Sequence, residues 1–200
     1  LPETLKTTLP PLDGLVFLPA TDSGSFANDK SLIETINAAD YNLLIGDFSK
    51  NSITAKAVGS ACQDSAKPLI LTRDGVDLLV EEITEKTLMN ENLIVFGSMA
   101  QLQKLFRVVY YPKVLLLSQS LVQVADALHK FTLSYPIAIV TLHNGQILIV
   151  KSGDVNVLPL EKTKYSPLTI WSGELAAKIL ALNLYNPDNF IKATVAALFA

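Results

Sequence analysis

The sequence has one cysteine, two histidines and no motif that identifies an activity by itself. Its single thiol, Cys62, cannot form an internal disulfide, which is compatible with a reducing cytosol. One cysteine and two distant histidines exclude a zinc site of the usual ligand spacing. The dinucleotide fingerprint Gly-x-Gly-x-x-Gly, the phosphate-binding loop and the Gly-x-Ser-x-Gly elbow are all absent.

Charged residues and long apolar runs are also scarce. Only 18% of the 200 residues are charged and the formal net charge is −3, which excludes a general nucleic-acid binder with a basic face. No apolar run is long enough to span a bilayer, and the first residues show no secretory signal. Hydrophobic residues make up 50% of the chain, which is typical of a sizeable core and excludes a disordered chain. We therefore expect one cytoplasmic domain over residues 1–200 that contacts neither nucleic acid nor membrane.

Short apolar runs alternate along the chain with segments of helical periodicity. The apolar runs predict strands at 14–19, 41–46, 68–72, 93–96, 137–142 and 146–150, with a further candidate at 113–117. The other segments predict helices at 31–39, 52–63, 76–82, 98–106, 120–131, 172–184 and 188–199. This alternation is typical of an α/β fold in which helices cover both faces of a mainly parallel sheet. Asn144 and Gly145 add a late antiparallel hairpin, because both residue types tolerate positive φ.

Ligands of open α/β sheets bind where the parallel strands end. The loops at Gly46, Asp74 and Gly97 follow predicted strands, and a fourth candidate is the start of the penultimate helix. There, Ser172 and Gly173 could present backbone N–H groups to an anion, and Glu174 could act as a general base. The structural alternative is that Ser172 is an N-cap and Glu174 an acid of the first helical turn.

The order of these loops resembles that in the ribokinase-like domain of the nucleotide-dependent NAD(P)H-hydrate dehydratases. That family has a glycine-rich turn, an Asp-Ala-Asp-Ala-Leu-Asn-Leu-Leu stretch, a His-Pro-Gly-Glu segment, a hairpin turn and a Gly-Thr-Gly-Asp helix start. The counterparts here are Ile45-Gly46-Asp47-Phe48-Ser49, Thr72 to Leu79, Val95-Phe96-Gly97-Ser98, Leu142-His143-Asn144-Gly145 and Trp171-Ser172-Gly173-Glu174. The similarity spans residues 1–200, and the identical motif positions are Gly46, Asp74, Gly97, Gly145 and Gly173.

The resemblance implies a three-layer ribokinase-like fold without the family's amino-terminal segment, and ATP- or ADP-dependent repair of hydrated NAD(P)H. It implies that Glu174 is the catalytic base and that Mg²⁺ accompanies the nucleotide. The nucleotide-binding residues would be His143, Asn144, Gly145, Ser172 and Gly173. The substrate-binding residues would be Gly46, Asp47, Asp74, Gly97 and Ser98. Self-association into a homo-oligomer is also expected, both from the family and from the high apolar content.

Several positions depart from the family pattern. The glycine-rich turn has lost two glycines, the histidine and acid of His-Pro-Gly-Glu are absent, no lysine precedes the hairpin, and Glu174 replaces an aspartate. Two alternatives follow: a small-molecule kinase of the same fold, and a catalytically degenerate subunit that serves binding or assembly. If the enzyme interpretation holds, the helix near Ser172 should point its amino terminus into the largest cleft, towards the Gly46 and Gly97 loops.

Overall fold

A six-stranded sheet organises the chain in the computed structural model, which describes residues 3, 17–27, 29–46, 51–186 and 189–200. The strands are β1 (Asn42–Leu44), β2 (Leu69–Thr72), β3 (Leu93–Phe96), β4 (Ala138–His143), β5 (Gln146–Lys151) and β6 (Asp154–Pro159), and they lie in that order across the sheet. Strands β1 to β4 are parallel, whereas β4, β5 and β6 pair antiparallel. The carboxyl ends of four parallel strands therefore meet at one edge.

The helices follow the strands in alternation up to β4. They are α1 (Asp29–Ala38), α2 (Ser52–Asp64), α3 (Asp74–Glu82), α4 (Glu85–Leu88), α5 (Met99–Val108), α6 (Leu121–Ser134), α7 (Pro167–Trp171), α8 (Glu174–Tyr185) and α9 (Phe190–Phe199). Side-chain caps fix where several helices begin. The hydroxyls of Ser98 and Ser120, for example, accept hydrogen bonds from the backbone amides three residues later. Among the described residues, no helix is both long and apolar enough to cross a bilayer.

Two apolar clusters pack against opposite faces of the sheet. Residues of α1 to α6 cover one face, where they meet alternate strand residues such as Leu71 and Val95. Residues of α7, α8 and α9 cover the other face, where they meet Ile70, Ile94 and Val140. Strands β2 and β3 are consequently buried at every position, which explains their unbroken apolar runs. The predicted α/β fold with a mainly parallel sheet and a late antiparallel hairpin is confirmed.

Two predicted strands differ from the structure, and one strand of the sheet was not predicted. The strand at 14–19 lies largely outside the described residues, and its described part contributes no strand; next to it Ala20 forms a single antiparallel bridge to Phe26. The candidate strand at 113–117 is irregular, because Leu115 alone is buried there and Val114, Leu116 and Leu117 face solvent. Strand β6 was not predicted, although the turn at Ser152 and Gly153, both with positive φ, returns the chain beside β5.

Candidate functional site

The loops after β1 and β2 meet directly at the carboxyl edge of the sheet. A Cβ placed on Gly46 would lie 2.9 Å from the Asp74 Cβ, and one placed on Gly75 would lie 2.9 Å from the Leu44 carbonyl oxygen. Neither position has room for a side chain, so the start of α3 packs against the end of β1. The structure thus brings together Gly46 and Asp74, whereas Asp47 lies outside the described residues.

The loop after β3 is tied to the loop after β2. Gly97 donates its amide to the Val140 carbonyl at 3.1 Å, and Ser98 begins α5 as its N-cap. The Gln101 side chain then donates to the Arg73 carbonyl at 2.9 Å. Arg73 itself has φ 52° and ψ −129°, a backbone conformation that non-glycine residues rarely adopt. Backbone outliers of this kind are found preferentially at binding and catalytic sites.

The amino terminus of α8 lies on the end of β1. Gly173, with φ 94°, occupies the left-handed position that begins the helix, and a Cβ placed there would lie 3.3 Å from the Ile45 Cγ2 atom. Because Ile45 immediately precedes Gly46, α8 begins beside the loop that carries Gly46. Gly173 and Gly46 are therefore neighbours in space, although the sequence separates them by more than half of the chain.

Two amides at the start of α8 already have acceptors. Ser172 donates its amide to the Leu168 carbonyl at 3.0 Å, and its hydroxyl accepts from the Glu174 amide at 3.3 Å. The prediction that Ser172 is the N-cap of this helix is therefore wrong, because Gly173 is the N-cap and Ser172 is the C-cap of α7. The amides of Leu175 and Ala176 lie in the first turn of α8, where no intrahelical acceptor exists.

A group of charged side chains surrounds Glu174, and sequence reasoning did not single it out. The Lys178 ammonium lies 3.6 Å from Glu174 Oε1 and 5.2 Å from the centre of the Tyr165 ring. A hydrogen bond to the Tyr165 hydroxyl raises the pKa of Lys178, whereas the adjacent Lys178 lowers the pKa of Lys164. The only sequence signal was the spacing of four residues between Glu174 and Lys178, which places them on one face of a helix.

Thr72 carries an orphaned polar atom beneath this site. It ends β2, is fully buried, and its Oγ1 is one of three buried side-chain oxygens that lack a hydrogen-bond partner in the described part of the chain. Thr72 points to the same face as Ile70, which is the face that α8 covers. A buried hydroxyl without a partner is costly, and a bound ligand group or water would satisfy it. The sequence placed Thr72 at the start of a candidate loop but assigned it no role.

The hairpin between β4 and β5 borders an open cavity of about 430 Å³, whose lining includes Asn144, Gly145 and Tyr165. Asn144 and Gly145 form the turn, both with positive φ, as their residue types predicted. His143 instead ends β4; its ring is 2% exposed and its Nε2 donates to the Gln119 carbonyl at 2.9 Å. Tyr165 links this cavity to the Lys178 and Glu174 side chains.

No protein family matches the chain in sequence, and no curated protein matches it either. Solved structures do resemble it. A hypothetical protein from Streptococcus mutans has a TM-score of 0.59 at 17% identity, over 86% of this chain and 58% of that one. A ribokinase-like superfamily protein from Enterococcus faecalis V583 has a TM-score of 0.56 at 14% identity, over 84% and 55%.

The pyridoxal kinase of Bacillus subtilis, solved as an ADP complex, is a third similar structure. It has a TM-score of 0.51 at 14% identity, over 84% of this chain and 65% of that one. The chain thus spans 55–65% of the length of these three structures. Similarity at this level of identity concerns the fold, and it establishes that the chain has a ribokinase-like fold.

Proposed function

We propose that this chain binds a nucleoside triphosphate at the carboxyl edge of its sheet and transfers a phosphoryl group to the hydroxyl of a small molecule. The observation that carries the proposal is the contact between Gly173 and Ile45, which seats the start of α8 beside the Gly46 loop. Helix amino termini at strand ends are favourable anion sites, because their amides and dipole both face the ligand. The buried Thr72 hydroxyl beneath the same helix lacks a partner within the described structure, which supports a ligand there.

The nucleotide would extend from this helix towards the hairpin. Its phosphates would accept from the Leu175 and Ala176 amides, with Lys178 adding positive charge. Its nucleoside would occupy the cavity of about 430 Å³ beside Asn144 and Gly145, a volume within the range of small-molecule sites. The pyridoxal kinase of similar fold was solved with ADP, which supports the choice of a nucleotide.

The Glu174 carboxylate would serve as the general base. It would accept the proton of the substrate hydroxyl while that oxygen bonds to the terminal phosphorus and the bond to the departing diphosphate breaks. Lys178, 3.6 Å away, would orient the carboxylate. Among the described residues, no group of three or more His, Cys, Asp or Glu side chains could hold a metal ion. Mg²⁺ would therefore be held mainly by the nucleotide phosphates.

A more specific form of the proposal is NAD(P)H-hydrate dehydration, which is supported by the order of the motif loops. In that reaction the acceptor would be the hydroxyl of the hydrated nicotinamide ring, and loss of the transferred phosphate would restore NAD(P)H. The same base and anion site would serve a kinase, so the acceptor alone separates the two reactions. Regeneration of NADH from its hydrate with ATP or ADP would support the dehydratase; stable phosphorylation of an alcohol would support the kinase.

Thermal unfolding with ATP, ADP, NADH and NADPH tests the binding step. A ligand at a hundred times its dissociation constant stabilises the fold by about 2.7 kcal/mol, which raises the melting temperature by roughly 5–10 °C for a domain of this size. We expect Glu174→Gln to keep the shift with ATP and to lose turnover, because it alters only the base. Glu81→Gln changes an exposed glutamate of α3 and should preserve both. A parental rate in Glu174→Gln would contradict the assigned base.

A nucleotide-binding subunit without turnover is the second candidate. Two observations favour it: the Ser172 and Glu174 amides already have acceptors, and the family lysine before the hairpin is missing. This candidate predicts that ATP stabilises the parent protein while no acceptor is phosphorylated and no hydrate is repaired. Absence of any nucleotide shift would contradict both candidates.

A further inference from the structure

A second cavity, of about 470 Å³, opens between the end of α5 and the segment that follows it. Helix α5 begins at the carboxyl edge of the sheet and rises about 15 Å over its ten residues, so this cavity is separate from the proposed nucleotide site. Its lining consists of Gln103, Lys104, Phe106, Arg107, Tyr110, Tyr111, Lys113, Val114 and Leu115. The proposed function does not use this cavity.

The lining is strongly cationic, although the chain as a whole is acidic. Three of the nine residues are Lys104, Arg107 and Lys113, and none is acidic, whereas the chain has a net charge of −3. The Lys113 ammonium lies 3.8 Å from the Asp126 carboxylate, and that carboxylate lies closer to Lys130, at 2.7 Å. The cavity therefore attracts anions.

Aromatic rings form a rigid apolar floor beneath these charges. The Phe106 ring stacks on Phe131 with centroids 4.2 Å apart, and Tyr111 meets both rings edge-on at 5.1 and 4.9 Å. Such a cluster fixes the orientation of Phe106 and Tyr111 before any ligand arrives. The combination of an apolar floor with a few polar groups is typical of small-molecule sites, and the volume lies in their range.

Tyr110 stands at the mouth of the cavity in a conformation that its own packing does not explain. The Tyr111 amide donates to the Phe106 carbonyl at 2.9 Å and the Tyr110 amide to the Arg107 carbonyl at 3.2 Å. These two bonds form a Schellman motif, which places Tyr110, with φ 53°, at the left-handed position that glycine usually occupies. Its side chain is also 92% exposed. The left-handed backbone reduces stability for a tyrosine, and a ligand that stacks on the exposed ring would account for the presence of tyrosine at this position.

We propose that this cavity binds a small aromatic anion, that is, a compound whose aromatic ring carries a phosphate or carboxylate group. The ring stacks on Tyr110 above the aromatic floor, and the anionic group binds among Lys104, Arg107 and Lys113. This site is independent of the proposed nucleotide site, and either can fail without the other.

Calorimetric titration of the full chain with 1-naphthyl phosphate and with 1-naphthoate tests the proposal. We expect saturable binding of at least one of them, and much weaker binding of 1-naphthol and of inorganic phosphate, because each lacks one of the two recognised parts. Arg107→Gln should weaken binding by about tenfold, the effect of one lost charge-assisted hydrogen bond. Lys56→Gln removes an exposed charge from α2 and should leave the affinity unchanged. No binding of either anion would overturn the proposal.

Tyr110→Gly separates a ligand-binding role from a structural one. Glycine adopts positive φ without strain, so this variant should melt at a higher temperature than the parent protein. Its affinity for the aromatic anion should nevertheless fall by about fivefold, because the stacking surface is gone. If the affinity for the aromatic anion is unchanged in both Tyr110→Gly and Arg107→Gln, the anion binds elsewhere and the proposal is overturned. The proposal is also overturned if that affinity falls only in Gly173→Ala.

Discussion

The contact between Gly173 and Ile45 can be measured by comparing two glycine substitutions. Gly173 and Gly145 both have positive φ, 94° and 71°. A Cβ on Gly173 would meet three Ile45 atoms at 3.3, 3.4 and 3.5 Å, whereas a Cβ on Gly145 would meet nothing within 4 Å. Gly145→Ala therefore introduces backbone strain alone, and Gly173→Ala introduces backbone strain together with a tight contact.

The expected magnitudes follow from these differences. Left-handed backbone costs a non-glycine residue about 1–2 kcal/mol, and alanine recovers roughly 0.4–1 kcal/mol by restricting the unfolded chain. We therefore expect Gly145→Ala to lower the free energy of unfolding by about 0.5–1 kcal/mol. Gly173→Ala should lower it by about 2 kcal/mol, because its φ lies further from the allowed region and Ile45 must shift.

Urea unfolding of the single and double variants provides the assay. Ile45→Ala removes the contacting side chain but leaves the backbone of Gly173 as it is. In the Ile45→Ala background, Gly173→Ala should thus be milder by about 0.5–1 kcal/mol, which is the coupling expected for residues in contact. Strict additivity of the two substitutions would refute the reasoning, since it would mean that the start of α8 does not rest on the end of β1. The proposed nucleotide site would then lose its geometric basis.

Two further predictions concern groups outside the proposed site. Burial raises the pKa of the fully buried Cys62 thiol. A thiol reagent at neutral pH should therefore label Cys62 only after the protein is unfolded in urea. Rapid labelling of the native protein would contradict the packing of α2. The hydrogen bond from Lys130 lowers the pKa of Asp126 in the folded protein. The ionised Asp126 therefore stabilises the fold above the ordinary aspartate pKa of about 3.9, and this stabilisation is lost as the pH falls through the lowered pKa of the folded protein. The difference in unfolding free energy between the parent and Asp126→Asn should shrink from about pH 6 to about pH 3. A difference that stays constant over that range would show that the ion pair contributes nothing.

Local pattern was sufficient for the elements that depend on burial and capping. The unbroken apolar runs of β2 and β3 predicted strands because both faces of a central parallel strand are covered. Helical periodicity predicted helices at 98–106 and 120–131, and the structure begins α5 and α6 there with capping boxes at Ser98 and Ser120. The prediction of a strand at 113–117 was wrong, because apolar composition alone does not distinguish a strand from a loop of exposed side chains.

The sequence by itself determined the fold class, the hairpin at Asn144 and Gly145, and the loops that could carry a site. These features depend on residues that are close together in the chain, so their period and their turn chemistry are readable directly. Self-association and the roles of the predicted site residues stay predictions. Only the tertiary structure decided that Gly173 rests on Ile45, that His143 is bound by the Gln119 carbonyl, and that Tyr165 and Lys178 join Glu174. The first two contacts join residues that are far apart in the chain, so no local pattern encodes them. In the third, Glu174 and Lys178 are four residues apart on α8, and the position of Tyr165 beside them depends on how the preceding segment packs.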